Sequence, residues 1–235
     1  MTFPWLKINR QSKHTRLVIP GWSILPNYFS GLFPKDNLII LNPFIVGNDQ
    51  VKQYCNQINE EITIINQPIE TILQSGIDQV FIFSMGLQWV DTHANELYEF
   101  PCDIVSPAIS YHENELDHMI QNLKKSKTAT LKAFFRQCFQ SSSEWQWWKK
   151  QEFDSQIQFT NSDSLITWLD EYGRKSVSIP DKKFITIWLD PNDPIGIKPA
   201  VNQDNLSINI HSNGHIVQAF EHNNHVSSYS GKLQK

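Results

Sequence analysis

Six short apolar runs, rich in β-branched residues, most limit what this chain can fold into. They are RLVIPGW (16–22), NLIILNP (37–43), QVFIFS (79–84), CDIVSP (102–107), KFITIWL (183–189) and LSINIH (206–211). Most are continuously apolar. A strand with one wet face alternates apolar and polar residues, whereas a strand covered on both faces does not. Between the runs the pattern is helical. Asn66 and Pro68 open one helix, with Ile69, Ile72 and Leu73 on a face and Gly76 as its stop. A second follows Ser84, with Leu87, Val90, Ala94 and Leu97 at steps of three and four. A third starts near Ser162, carries Leu165, Leu169 and Tyr172 in register, and stops at Gly173. This alternation predicts an α/β fold: a mostly parallel sheet flanked by helices.

Residues 111–150 interrupt the alternation and hold no strand candidate. They read as two amphipathic helices and a Trp-rich tail, EWQWWKKQ. Leu116, Met119, Ile120 and Leu123 share one face of the first helix; Leu131, Phe134, Phe135 and Cys138 share one face of the second. Trp145, Trp147 and Trp148 are expected to pack rather than to form a ligand platform. The chain is thus expected to be one domain over 1–235, with a helical insertion at about 111–150.

Composition narrows the class. The 235 residues are 40% hydrophobic and 12% aromatic, a globular balance. Twenty Lys and Arg against twenty-four Asp and Glu give a net charge of −4, so an overall basic nucleic-acid binder is excluded. Cys55, Cys102 and Cys138 are widely spaced, with no CxxC, which argues against a disulfide framework or a thiolate zinc site. The start, MTFPWLKINRQSKHTR, has no apolar core of a signal peptide, and no stretch is long and apolar enough to span a membrane. A cytoplasmic monomer without cofactor or metal is expected. His93, His112 and His118 lack ligand spacing, Gly214 breaks any helical pairing of His211 with His215, and His222 and His225 lie in a polar tail.

The chemistry is concentrated in QVFIFSMGLQW (79–89). An apolar strand runs into Ser84, then Met85 and Gly86, then a helix. That is the setting of a nucleophile elbow, a tight strand-to-helix turn that lifts a serine hydroxyl above the sheet. An N-capping serine fits the same junction, and Ile82 stands where the G-x-S-x-G form has glycine. Two further features favour the nucleophile. The strand LVIPGW (17–22) ends at Gly21-Trp22, where one oxyanion N–H is expected from Trp22 and the other from Met85. Asp193 in WLDPNDPIG and His215 in NGHIVQ then follow apolar runs, giving the chain order Ser, Asp, His. A serine hydroxyl needs a base to take its proton, and the base needs a carboxylate to orient it. Asp190 competes with Asp193 for the acid's role; the D-P-I that begins at Asp193 favours Asp193.

The segments PGW (20–22), SMG (84–86), DPI (193–195) and GH (214–215) together resemble α/β hydrolases. The insertion, from Asp117-His-Met-Ile through Thr130-Leu-Lys-Ala-Phe-Phe-Arg-Gln-Cys-Phe, is more narrowly similar to the helical cap of the pimeloyl-[acyl-carrier protein] methyl ester esterases of biotin synthesis. The resemblance spans about residues 15–220. It implies an α/β-hydrolase fold and a carboxylesterase acting on a pimeloyl methyl ester carried by acyl carrier protein. It implies Ser84 as nucleophile, His215 as base and acid, and Asp193 as its partner, with Trp22 and Met85 forming the oxyanion hole and Phe134 and Phe135 flanking the acyl chain. A thioesterase or general short-chain esterase with the same residues, and a catalytically silent binding protein, are the alternatives.

Charge adds a clue about partners. Residues 118–150 hold seven Lys and Arg against the single acid Glu144, a local charge of +6 on a chain of −4. Lys124, Lys125, Lys132 and Arg136 are the expected contacts for an acidic acyl carrier protein; Lys125, Lys132 and Arg136 have the spacing of one helical face. A solvated face gives the same pattern. Neither nucleic acid nor membrane is expected as a partner.

Overall fold

The computed structural model describes residues 3–58, 60–199, 207–210 and 214–216. Six strands come from the six apolar runs: β2 (Thr15–Ile19), β3 (Asn37–Leu41), β5 (Gln79–Phe83), β6 (Cys102–Val105), β7 (Ile185–Leu189) and β8 (Ser207–Ile210). Two more, β1 (Trp5–Ile8) and β4 (Ile62–Ile65), went unread in the sequence. Both have four residues, Lys7 interrupts the first, and β4 is nowhere fully buried. The order across the sheet is β4-β1-β3-β2-β5-β6-β7-β8. β1 runs antiparallel to both its neighbours, and the strands from β3 to β8 pair in parallel. The central strands β2, β3 and β5 are buried from their second or third residue onward. Continuous apolar sequence and two-sided burial thus coincide, as the pattern predicts.

The helices α1 (Pro26–Leu32), α2 (Asn48–Gln57), α3 (Ile69–Leu73) and α4 (Gly86–His93) occupy the connections up to β6, and a 3-10 turn, Asn95–Glu99, follows α4. Between β6 and β7 the named elements are all helices: α5 (Glu113–Lys125), α6 (Lys127–Gln137), α7 (Ser142–Trp148), α8 (Asp154–Phe159) and α9 (Ser162–Trp168). π-helical turns at Lys149–Phe153 and Leu169–Gly173 extend α7 and α9. The helical stretch therefore runs on to Gly173, past the 111–150 expected. The reason is that the helix read at Ser162 packs on α5 within this layer, while its π-helical turn also meets α4.

An aromatic cluster holds the helical layer together. Trp148 lies 4.2 Å from Phe135 and 6.0 Å from Trp145, ring centre to ring centre, with Phe139 and Phe153 around them. Trp145 and Trp148 are buried, whereas Trp147 is half exposed. A buried tryptophan contributes through apolar area and through the contacts its cavity would lose. Trp148→Ala is expected to destabilise the protein by about 3–5 kcal/mol; urea denaturation of the two proteins measures the difference.

Candidate functional site

The turn between β5 and α4 is tight because two glycines let backbones touch. A Cβ on Gly86 would sit 2.8 Å from the carbonyl oxygens of Ile19 and Pro20, and one on Gly21 would sit 2.9 Å from Ser84 Cβ. Ser84 itself takes φ +50°, a left-handed conformation that β-carbon-bearing residues avoid. Its N–H donates to Val105 O at 2.9 Å, and its carbonyl accepts from Leu87 N–H at 3.1 Å, so the turn is fixed from both sides. Ile82 is fully buried in β5, level with Ile19 and Ile104, and its side chain is no obstacle to this turn. The backbone N–H groups of Trp22 and Met85, on either side of Ser84, have no acceptor among the described residues.

Asp193 and His215 meet across the ends of β7 and β8. Asp193 Oδ2 lies 2.8 Å from His215 Nδ1. The other carboxylate oxygen accepts the Ile195 N–H at 2.9 Å. Lys198 Nζ, unread in the sequence, donates to the same Oδ2 at 2.6 Å. Burial pushes the Asp193 carboxyl upward, but His215 and then Lys198 beside it outweigh that and bring it from 3.8 to about 2. Asp190 has different work. Its Oδ2 accepts from Gly214 N–H at 2.8 Å and from Gln140 Nε2 at 2.5 Å, so it holds the loop that carries the histidine. His215 is further fixed through its backbone: its N–H donates to Cys138 O at 2.9 Å, and its carbonyl accepts from Ser106 Oγ at 2.6 Å. Gly214, at φ +71°, makes that approach feasible, since a Cβ there would fall 2.7 Å from Cys138 O.

The imidazole packs 5.4 Å from the ring of Phe83, the residue before Ser84. Between Ser84 and His215 there is no direct hydrogen bond; Ser84 Oγ instead lies 3.5 Å from the Tyr111 hydroxyl.

A cavity of about 320 Å³ opens above Ser84, lined by Trp22, Met85 and Tyr111 at its floor. Leu116, Met119, Phe134 and Leu169 give it apolar walls, and Glu115, His118, Asn122 and Gln137 add polar groups from α5 and α6. Phe134 faces this space and stands edge-on to Trp22, ring centres 4.8 Å apart. The indole N–H of Trp22 donates to Leu165 O at 2.9 Å, tying the loop after β2 to α9. Phe135 is a correction. Successive helical residues point about 100° apart, so Phe135 turns away from the cavity and packs against Trp148 and Phe153.

The basic residues also need a correction. Lys125, Lys132 and Arg136 do not share one helical face, because Ser126 (φ −160°) breaks the helix and caps α6, accepting from Ala129 N–H at 3.3 Å. Lys124 and Lys125 are exposed at the end of α5. Lys132 and Arg136 join Lys149 around a separate groove of about 400 Å³ between α6 and α7. No His, Cys, Asp or Glu cluster among the described residues has the makings of a metal site, and no described helix is long and apolar enough to cross a membrane. His211, His222 and His225 lie outside the described residues.

Several solved structures share this architecture at low sequence identity. A hydrolase from Oleispira antarctica, olei00960, matches with a TM-score of 0.60 at 13% identity, over 89% of this chain and 87% of that one. An esterase from Exiguobacterium antarcticum matches at 0.58 and 15%, over 90% and 88%. BioG from Haemophilus influenzae matches at 0.53 and 13%, over 91% and 94%. No protein-family model and no curated protein matches the sequence. The likenesses show an α/β-hydrolase fold.

The carboxylate linkage has a measurable consequence. A depressed carboxyl contributes stability that is present above the ordinary Asp range and is lost as pH falls through the folded value. Asp193→Asn is expected to cost about 2 kcal/mol at neutral pH. The gap from wild type should narrow as pH falls from about 4 to about 2, which urea denaturation across that range reads directly.

Proposed function

We propose that this protein is a serine carboxylesterase that hydrolyses the methyl ester of a pimeloyl chain carried by acyl carrier protein, a step of biotin synthesis. The observation that carries this reading is the Asp193–His215 pair beside a strained Ser84, beneath a cavity with both apolar and polar walls. Ser84 Oγ attacks the ester carbon while His215 Nε2 takes its proton. Asp193 accepts the Nδ1–H, which fixes the ring's tautomer and stabilises the imidazolium. The oxygen that becomes negative turns to the unused N–H groups of Trp22 and Met85, on the N-terminal side of α4. His215 returns the proton to the departing methoxide, and methanol leaves. Water then repeats the sequence on the acyl-enzyme and frees the carboxylate.

The substrate follows from the walls and the surroundings. Leu116, Met119, Phe134 and Leu169 suit a methylene chain. Lys124, Lys125, Lys132 and Arg136 are exposed on the helical layer and suit an acidic carrier protein. The family resemblance of the PGW, SMG, DPI and GH segments, and the likeness to BioG, support the same reading. The three cysteines are free, which suits the cytoplasm.

The test supplies methyl-pimeloyl carrier protein and follows the product by mass spectrometry. Wild type is expected to remove the methyl group and leave the thioester intact. Ser84→Ala should lower turnover by roughly a thousandfold or more. Reversing charge at Lys132 and Arg136 should lower kcat/KM for the carrier substrate about tenfold while sparing a small p-nitrophenyl ester. Cleavage at the thioester, or turnover that survives loss of the serine hydroxyl, contradicts the proposal.

A further inference from the structure

Tyr111 sits at the floor of the cavity with its hydroxyl 3.5 Å from Ser84 Oγ. Two independent features hold it there. The segment before it is clamped to the loop that bears Asp193: Ile109 N–H donates to Ile197 O at 2.7 Å, and Ile197 N–H donates to Ser110 O at 2.8 Å. Room for the ring is kept by Gly196, at φ +69°, where a Cβ would come within 2.9 Å of Tyr111 Cε1 and 2.4 Å of Ala108 Cβ. The turn that presents Asp193 to His215 therefore also presents a phenol to the nucleophile. Burial pushes the pKa of that phenol above its ordinary value, so it keeps its proton and can donate.

The mechanism gives the carbonyl oxygen two donors and the alkoxy oxygen only one, His215. Two oxygens flank the attacked carbon of an ester. The carbonyl oxygen turns to Trp22 and Met85 N–H, and the alkoxy oxygen becomes the leaving group. Resting on the esterase reading, we infer that Tyr111 is a further catalytic residue, whose hydroxyl donates a hydrogen bond to the alkoxy oxygen as the tetrahedral intermediate collapses. In that step the carbon–alkoxy bond breaks, its electron pair goes to the departing oxygen, and the proton comes from His215 Nε2. Tyr111 keeps its own proton throughout. Its donor matters for a poor leaving group such as methoxide and little for p-nitrophenolate, whose charge is already delocalised.

The experiment compares methyl and p-nitrophenyl esters of one acyl chain, with wild type, Tyr111→Phe and Ser84→Ala. Tyr111→Phe is expected to lower kcat for the methyl ester by about 10–100-fold with little change in KM, and to leave the p-nitrophenyl ester within about twofold. Retained labelling of Tyr111→Phe by a serine-reactive fluorophosphonate shows that the site is intact. Equal loss on both esters, or no loss on either, overturns the role of Tyr111 while leaving the esterase reading in place. Failure of wild type on both esters, or full turnover by Ser84→Ala, overturns both.

Discussion

Close backbone approach at one point governs the rest of this molecule. The exit of β2 and the turn after β5 press together where Gly21 meets Ser84 and Gly86 meets Ile19 and Pro20. No side chain fits between them. The pressure holds Ser84 at a positive φ, a strain on the order of 1–3 kcal/mol that the surrounding sheet must offset. In return the serine side chain leaves the plane of the sheet and enters the cavity beside Trp22 and Met85. A relaxed turn would return the hydroxyl to an ordinary helix-capping role.

The helical layer and the histidine loop act as one body. His215 donates its backbone N–H to Cys138, the residue that closes α6, and Gln140 just beyond holds Asp190, which in turn holds Gly214. Trp22 ties the other side of the site to α9. The aromatic cluster around Trp148 thus does more than stabilise helices, since it anchors the segment on which the imidazole rests. A layer packed this way both roofs the cavity and sets the position of the base beneath it.

How much of this the sequence discloses depends on how local each signal is. β2, β3 and β5 were legible because burial on both faces leaves continuous apolar runs, whereas Lys7 interrupts β1, and β4 is only partly buried, so neither leaves such a trace. The elbow at Ser84 was legible from a strand, a small residue and a helix in succession. The preference for Asp193 over Asp190 rested on a three-residue pattern, and the geometry pairs Asp193 with His215. Tyr111 left no signal because a contact between distant loops places it; Lys198 lies five residues from Asp193 in the same loop, where a lysine reads as ordinary surface charge. The capping chemistry of Ser126 marks the break between the two helices, yet the seven- and four-residue steps from Lys125 to Lys132 to Arg136 mimic one continuous face. The difference between Phe134 and Phe135 came down to which side of α6 meets the cavity, and periodicity alone groups them together.

The most direct examination of Ser84 needs no knowledge of the natural substrate. The intact protein is treated with a fluorophosphonate, digested, and its modified peptide identified by mass spectrometry. An activated hydroxyl predicts a single adduct on the peptide that contains Ser84, formed rapidly in wild type and lost when His215 is replaced by alanine. A protein that takes up no label, or takes it up elsewhere at a rate indifferent to His215, contradicts an activated nucleophile at this turn.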